Sequence, residues 1–205
     1  MIMKKTSMII IFVLSVLVVN AQDYTKLTAA FSDSYVKEKS GKYGEAVTAL
    51  KAFYDPDSYE INLRLGWLTY LQGQFNESLG YYNKAIDLMP YAIEPRLGVV
   101  LPASSLGNWD MVITHYNKIL AIDPNNTVTL YRLGLISYDR KDYTQAYKYF
   151  EKVVNLYPFD YQSVLMLAWT NFRLGKTREA KILFNKALLY SPDDASAKEG
   201  LGLIK

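Results

Sequence analysis

The 205-residue chain contains no cysteine and a single histidine, His115. Without cysteine there is no disulfide framework, no thiolate zinc site, no thiol nucleophile and no lipid-anchored N-terminal cysteine. One histidine leaves little from which to build a histidine-ligated metal site or a serine-type triad. Neither sign of charge dominates: 23 basic and 20 acidic residues give +3, too small an excess to point to nucleic acid. The motifs G-x-x-x-x-G-K-[ST], G-x-S-x-G and H-E-x-x-H are also missing. The expectation is therefore a protein that is not an enzyme, with no catalytic residue, no cofactor and no metal. His115, beside Tyr116, reads as a packing or surface residue, and Asp110, Asp123, Asp193 and Asp194 sit where helices begin or end. Two N-x-[ST] triplets, Asn76-Glu77-Ser78 and Asn125-Asn126-Thr127, are of a kind frequent by chance.

What is present is half apolar residues and 18 tyrosines, ample for a core in one domain or a short array. The longest apolar run lies at the start. Lys4 and Lys5 precede Met8 to Val19, interrupted by Ser15, and Val19-Asn20-Ala21 supplies small residues at a cleavage site. This is the three-part pattern of a secretory signal over residues 1–21. Twelve apolar residues reach about 18 Å of a roughly 30 Å hydrocarbon core, which disfavours a retained anchor. Cleavage after Ala21 and a periplasmic or secreted mature chain, not a lipoprotein, are expected. No stable membrane span is expected once the signal is removed.

The rest of the chain is periodic. Pro56, Pro90, Pro124, Pro158 and Pro192 follow one another at 34-residue steps. Ser78, Val112, Ala146 and Ala180 keep the same step, as do Gly73, Gly107, Lys141 and Gly175, and the aromatics Tyr82, Tyr116, Phe150 and Phe184. Apolar residues at spacings of three and four within each unit, such as Leu130, Leu133 and Gly134, then Ala146, Phe150 and Val153, predict two amphipathic helices joined by a tight turn. The proline ends the second helix of each pair, since it lacks an N–H and restricts its predecessor.

These positions resemble the tetratricopeptide repeat, whose period is 34 residues and whose pattern ends in A-x3-F…P. The resemblance implies an all-α fold, a right-handed superhelix (α-solenoid) of about five helix-turn-helix repeats plus a short C-terminal capping helix. In that register the repeats are 59–92, 93–126, 127–160 and 161–194, with 22–58 a degenerate first repeat and 195–205 the cap. In the first repeat, the ten residues from Ala46 to Pro56 predict a second helix two residues shorter than elsewhere. Repeat 93–126 is irregular: Val100 and Val112 replace small residues, and Pro102 falls inside the first helix, four residues after Gly98. That is either an accommodated irregularity or a local widening of the superhelix.

The resemblance also implies that the first helices line a concave groove. Carried over by position, its lining comprises Leu63, Trp67 and Tyr70; Leu97, Leu101 and Ser104; Tyr131, Leu135 and Tyr138; and Leu165, Trp169 and Phe172. The first repeat adds Phe31 and Tyr35. An aromatic and aliphatic stripe suits an apolar or aromatic peptide segment, although part of it can equally be packing between repeats. Arg64, Arg96, Arg132 and Arg173 neighbour the stripe and could hold a carboxylate. The lysine–asparagine clamp that some family members use for chaperone C-termini does not transfer, because those positions carry Leu, Tyr and Trp. The expected function is an exported scaffold or adaptor that holds a protein partner in the groove, with Trp67, Trp169, Tyr70 and Tyr138 as anchors. Two other readings stay open: a glycan or cell-wall binding accessory module, disfavoured by the few polar residues along the stripe, and a self-associating array packed through Leu201, Leu203 and Ile204.

Overall fold

A computed structural model describes residues 24–204, so the expected export signal lies outside the described residues. The fold is all-α, of the helix-pair α-solenoid type, with no strand among the described residues. Helix α1 covers residues 24–39. It is followed by α2 (Tyr43–Lys51), α3 (Tyr59–Leu71), α4 (Phe75–Leu88), α5 (Glu94–Ser105) and α6 (Trp109–Ile122). The series continues with α7 (Thr127–Asp139), α8 (Tyr143–Leu156), α9 (Tyr161–Arg173), α10 (Thr177–Tyr190) and α11 (Ala195–Leu203). The chain forms two compact units, one ending at Val112 and one starting at Ile113.

Short polar side chains set where the first helices begin. Ser58, Asn126, Asp160 and Asp194 each accept from the backbone N–H three residues on, starting α3, α7, α9 and α11. Such a cap satisfies one of the four orphan donors at a helix start. Between the helices of a pair, one residue turns left-handed: Gly41, Gly73, Gly107 and Gly175 have φ between 71° and 80°, and Lys141 takes φ 62° in the same role. A side chain there is strained, so Lys141 is the one junction held against its own preference.

One element differs from the sequence expectation in detail. Helix α2 has nine residues against fourteen in α4, α8 and α10, a larger shortening than the proline spacing implied. The chain leaves the helix after Lys51 through Phe53, Tyr54 and Asp55 before Pro56 is reached. Pro102 is buried within α5 and does not end it; the helix runs on to Ser105, and Leu106 N–H still bonds the Pro102 carbonyl. Gly98, in the same helix, is the seat of an aromatic.

That seat explains the packing. In the first unit the Tyr82 ring lies against Gly66 of its own repeat and Gly98 of the next: a Cβ added at either would come within 2.8 Å or 2.3 Å of it. In the second unit Phe150 covers Gly134 and Phe184 covers Gly200 in the same way. Tyr82 thus ties the adjacent first helices α3 and α5 through two positions where only a hydrogen fits. We expect Gly98→Ala to destabilise the protein by about 1–3 kcal/mol, since the ring is enclosed and cannot retreat. Gly80→Ala, on exposed α4 surface with nothing within 4 Å, should instead stabilise by about 0.5–1 kcal/mol. Urea unfolding of both variants checks the opposite signs.

Each unit has its own apolar cluster. Ala30, Ala46, Val47, Leu50, Ile61, Leu65 and Leu68 form one in the first unit. The second unit holds Phe150, Val164, Leu167, Ala168, Phe184 and Ala187 among others. Tyrosine hydroxyls add links between neighbouring repeats. Tyr59 donates to Glu94 at 3.1 Å and Tyr161 to Asp194. Burial and then the Glu94 carboxylate push the Tyr59 hydroxyl up to about 12; the bond to Asp194, then burial, does the same for Tyr161.

Candidate functional site: aromatic stripes on the first helices

The residues expected to line the groove fall into two stretches. Phe31, Tyr35, Leu63, Trp67, Tyr70, Leu97 and Leu101 belong to the first unit, and Tyr131, Leu135, Tyr138, Leu165, Trp169 and Phe172 to the second. Of these, Tyr35 is exposed, at 49%, and all the others are half-buried. Phe31 and Trp67 pack on the first unit's cluster, and the whole second stretch packs on the other. The stripe is thus partly structural, presenting ring edges and faces rather than free side chains.

Both indoles already have partners on a neighbouring first helix. Trp67 donates its Nε1–H to Glu38 on α1 at 2.7 Å, and Trp169 donates to Ser196 on α11 at 2.8 Å. Trp67 lies 5.8 Å from Tyr70, and Trp169 packs edge-on against Phe172 at 5.8 Å and Phe184 at 5.0 Å. The fixed indoles are rigid walls, and an order of this kind lowers the entropy lost when a ligand binds.

The most developed feature is a cleft of about 440 Å³ in the first unit, lined by Tyr35, Glu38, Lys39, Tyr43, Arg64, Trp67 and Leu71. Arg64 is 8% exposed. Its Nη1 contacts Glu38 at 2.6 Å, its Nε–H donates to Ser34 at 3.2 Å, and the guanidinium stacks 3.9 Å over the Tyr35 ring. Its Nη2 has no acceptor among the described residues. For Glu38 burial raises the carboxyl's pKa, but the bonds from Trp67 and Arg64 outweigh it and leave the group below its ordinary value. Lys39 brings a second cation to the rim, so the cleft is aromatic-walled with a slight positive excess.

The other arginines behave differently. Arg96 donates to the Pro90 carbonyl at 2.7 Å, and Arg173 to the Tyr138 hydroxyl at 3.3 Å. Arg132 lines a separate cleft. Sequence reasoning missed Ser34, Glu38, Lys39 and Ser196. The signal available for Glu38 was slight, a carboxylate one helical turn beyond Tyr35, with no register position that marks it.

Residues 35–93 match one family model described as a tetratricopeptide repeat, and residues 137–204 match another of the same description, together well over half of the chain. The chain belongs to the tetratricopeptide-repeat family. Among solved structures, this tetratricopeptide-repeat chain is similar to a tetratricopeptide repeat protein from Parabacteroides merdae, at 23% identity and a TM-score of 0.73, covering 86% of this chain and 71% of that one. It is similar also to MamA from Desulfovibrio magneticus, at 19% identity and a TM-score of 0.67, covering 82% and 98%. At these identities the likeness shows the fold. Among curated proteins, the Protein CTR9 homolog of Arabidopsis thaliana is 30% identical over 105 residues, half of this chain and 10% of that protein. Anaphase-promoting complex subunit 6 of the same plant is 25% identical over 135 residues, 63% of this chain and 25% of that protein. The tetratricopeptide-repeat chain therefore spans a tenth to a quarter of these relatives.

Proposed function

We propose that this protein is an exported, non-catalytic adaptor that holds a protein partner against the aromatic stripes of its first helices. The observation that carries the reading is the first-unit cleft. There the exposed Tyr35 ring, the fixed Trp67 indole and the buried Arg64 line one cleft, with Tyr70 5.8 Å from the indole. A rigid aromatic anchor flanked by a buried arginine is the residue mix that dominates binding energy at protein interfaces. Membership of a family built to present helix faces supports the same role, and an apolar peptide segment or an amphipathic helix fits the chemistry.

Export rests on the sequence of residues 1–21, with Lys4, Lys5 and the following apolar run. No helix among the described residues is long and apolar enough to cross a membrane.

The test is crosslinking capture from the cell envelope with the mature chain, residues 22–205, against Tyr35→Ala and Tyr35→Ala/Trp67→Ala. A partner band should fall about tenfold in the double variant, a loss of roughly 1.4 kcal/mol or more, with helicity preserved. Capture that is indifferent to both variants would remove the first-unit cleft from the binding surface. Release of a periplasmic fraction on osmotic shock, with the N-terminus of the recovered chain at Gln22, checks the export half separately.

A further inference from the structure

The second unit holds a cleft whose chemistry differs from that of the stripes, and from it we infer a saccharide-binding subsite. It measures about 420 Å³ and forms where the first turns of α7 and α9 meet the end of α8, within the size range of small-molecule sites. Tyr157 and Tyr131 stand in its walls, and among its polar groups are Thr127, Arg132, Asp160, Gln162 and Ser163.

Three observations point to a ligand. Ser163 is 1% exposed and its Oγ has no partner among the described residues, an arrangement that buried hydroxyls seldom keep. Arg132 and Gln162 are exposed and have no hydrogen-bond or ion-pair partner among the described residues, so their planar donor groups are available. Tyr157 turns 59% of its surface to solvent. The turn that carries Tyr157 and Asp160 also carries Phe159, 54% exposed and 5.1 Å from the Tyr190 ring.

The balance of groups selects the class of ligand. Arg132 and Asp160 cancel in charge, and Asp160 already meets the positive end of α9 by accepting from Ser163 N–H at 2.9 Å. An anion is therefore repelled where a helix start would otherwise attract it, and a cation meets Arg132. A neutral ring with an apolar face and a rim of hydroxyls fits both halves of the site. Its face lies on Tyr157, while its hydroxyls, each donor and acceptor, meet Asp160 as acceptor and Arg132 and Gln162 as donors. The site is independent of the adaptor reading, which uses the stripes on the first helices.

The experiment applies the full mature chain to an array of neutral oligosaccharides, including glucans, mannans, galactans and β-1,4-linked N-acetylglucosamine oligomers. Titration calorimetry of the strongest hit follows. We expect at least one neutral saccharide to bind, Tyr157→Ala to weaken it roughly tenfold, and Gln162→Ala or Arg132→Ala to weaken it several-fold. These side chains are exposed, so the variants fold. Tyr35→Ala/Trp67→Ala should bind the saccharide unchanged, which separates this site from the first-unit cleft. No bound saccharide on the array overturns the proposal. So does binding that ignores both Tyr157→Ala and Gln162→Ala, and so does a preference for charged peptides at the same cleft.

Discussion

Phe184→Ala should lower the stability of the second unit by about 3–5 kcal/mol, the cost of deleting a buried ring whose surroundings cannot collapse. Phe184 is fully buried. Its ring is pressed against the position of Gly200, where an added Cβ would lie 2.2 Å away, and Trp169 meets it edge-on at 5.0 Å. Removing it separates α10 from α9 and α11 together, so α11, nine residues long, loses the ring that its glycine packs on. An isolated helix of that length is marginal in water. Urea unfolding followed by Trp169 fluorescence reads the loss, and the resonances of α3 and α4 should be unperturbed because repeat stability is a sum of near-neighbour terms. A loss below about 1 kcal/mol would mean that the ring is not the link between these helices.

The second large effect is expected at Arg64. Arg64→Ala strips the Glu38 carboxylate of its guanidinium partner, leaves the Ser34 hydroxyl without that donor, and removes the plane stacked on Tyr35. Breaking a buried ion pair from one side costs about 3–5 kcal/mol, and because Glu38 retains some solvent contact the lower end applies. The pH dependence gives the sign. Glu38 has a folded-state pKa below its unfolded one. Its contribution is therefore complete above the ordinary carboxylate range and is lost as the pH falls through the lowered folded value. Arg64→Ala removes two of the influences that hold that value down, so the acid transition should move to higher pH. The Trp67 indole N–H resonance, bonded to Glu38 at 2.7 Å, reports the protonation directly. An acid midpoint that is the same in wild type and variant would show that the guanidinium does not govern Glu38.

The parts of this molecule that were legible in its sequence are those repeated at a fixed step. Pro90, Gly73 and Tyr82 each mean little alone, but their counterparts 34 residues on obey one geometry, so the helix pairs could be placed from spacing. Asp194 could be read as a helix start for the same reason, being 34 residues after Asp160. What resisted reading lies in the pairs that do not repeat. Glu38 joins Trp67 in the first unit, while Trp169, its counterpart three repeats later, takes Ser196 on the opposite side. No periodic rule marks which neighbour an indole will choose, so the stripe read as more open than it is. Gly98 stood out only by its place four residues before Pro102, because the aromatic it seats, Tyr82, belongs to the preceding repeat. Asp160 was not legible as a cleft wall. Tyr157 shares its turn, but Arg132 comes from α7, and that meeting depends on how consecutive repeats stack.

The main packing in each unit joins helices that are adjacent or next but one along the chain, such as α3 with α4 and α5, and α9 with α10 and α11. A molecule assembled from such short-range partners has a low contact order, and its search for the native state is brief. Each hairpin can settle as soon as the one before it exists, without waiting for the far end of the chain to be made. The same property governs how each unit yields under tension: pulled from one end, it opens hairpin by hairpin, since among the described residues each helix pair is held by its near neighbours.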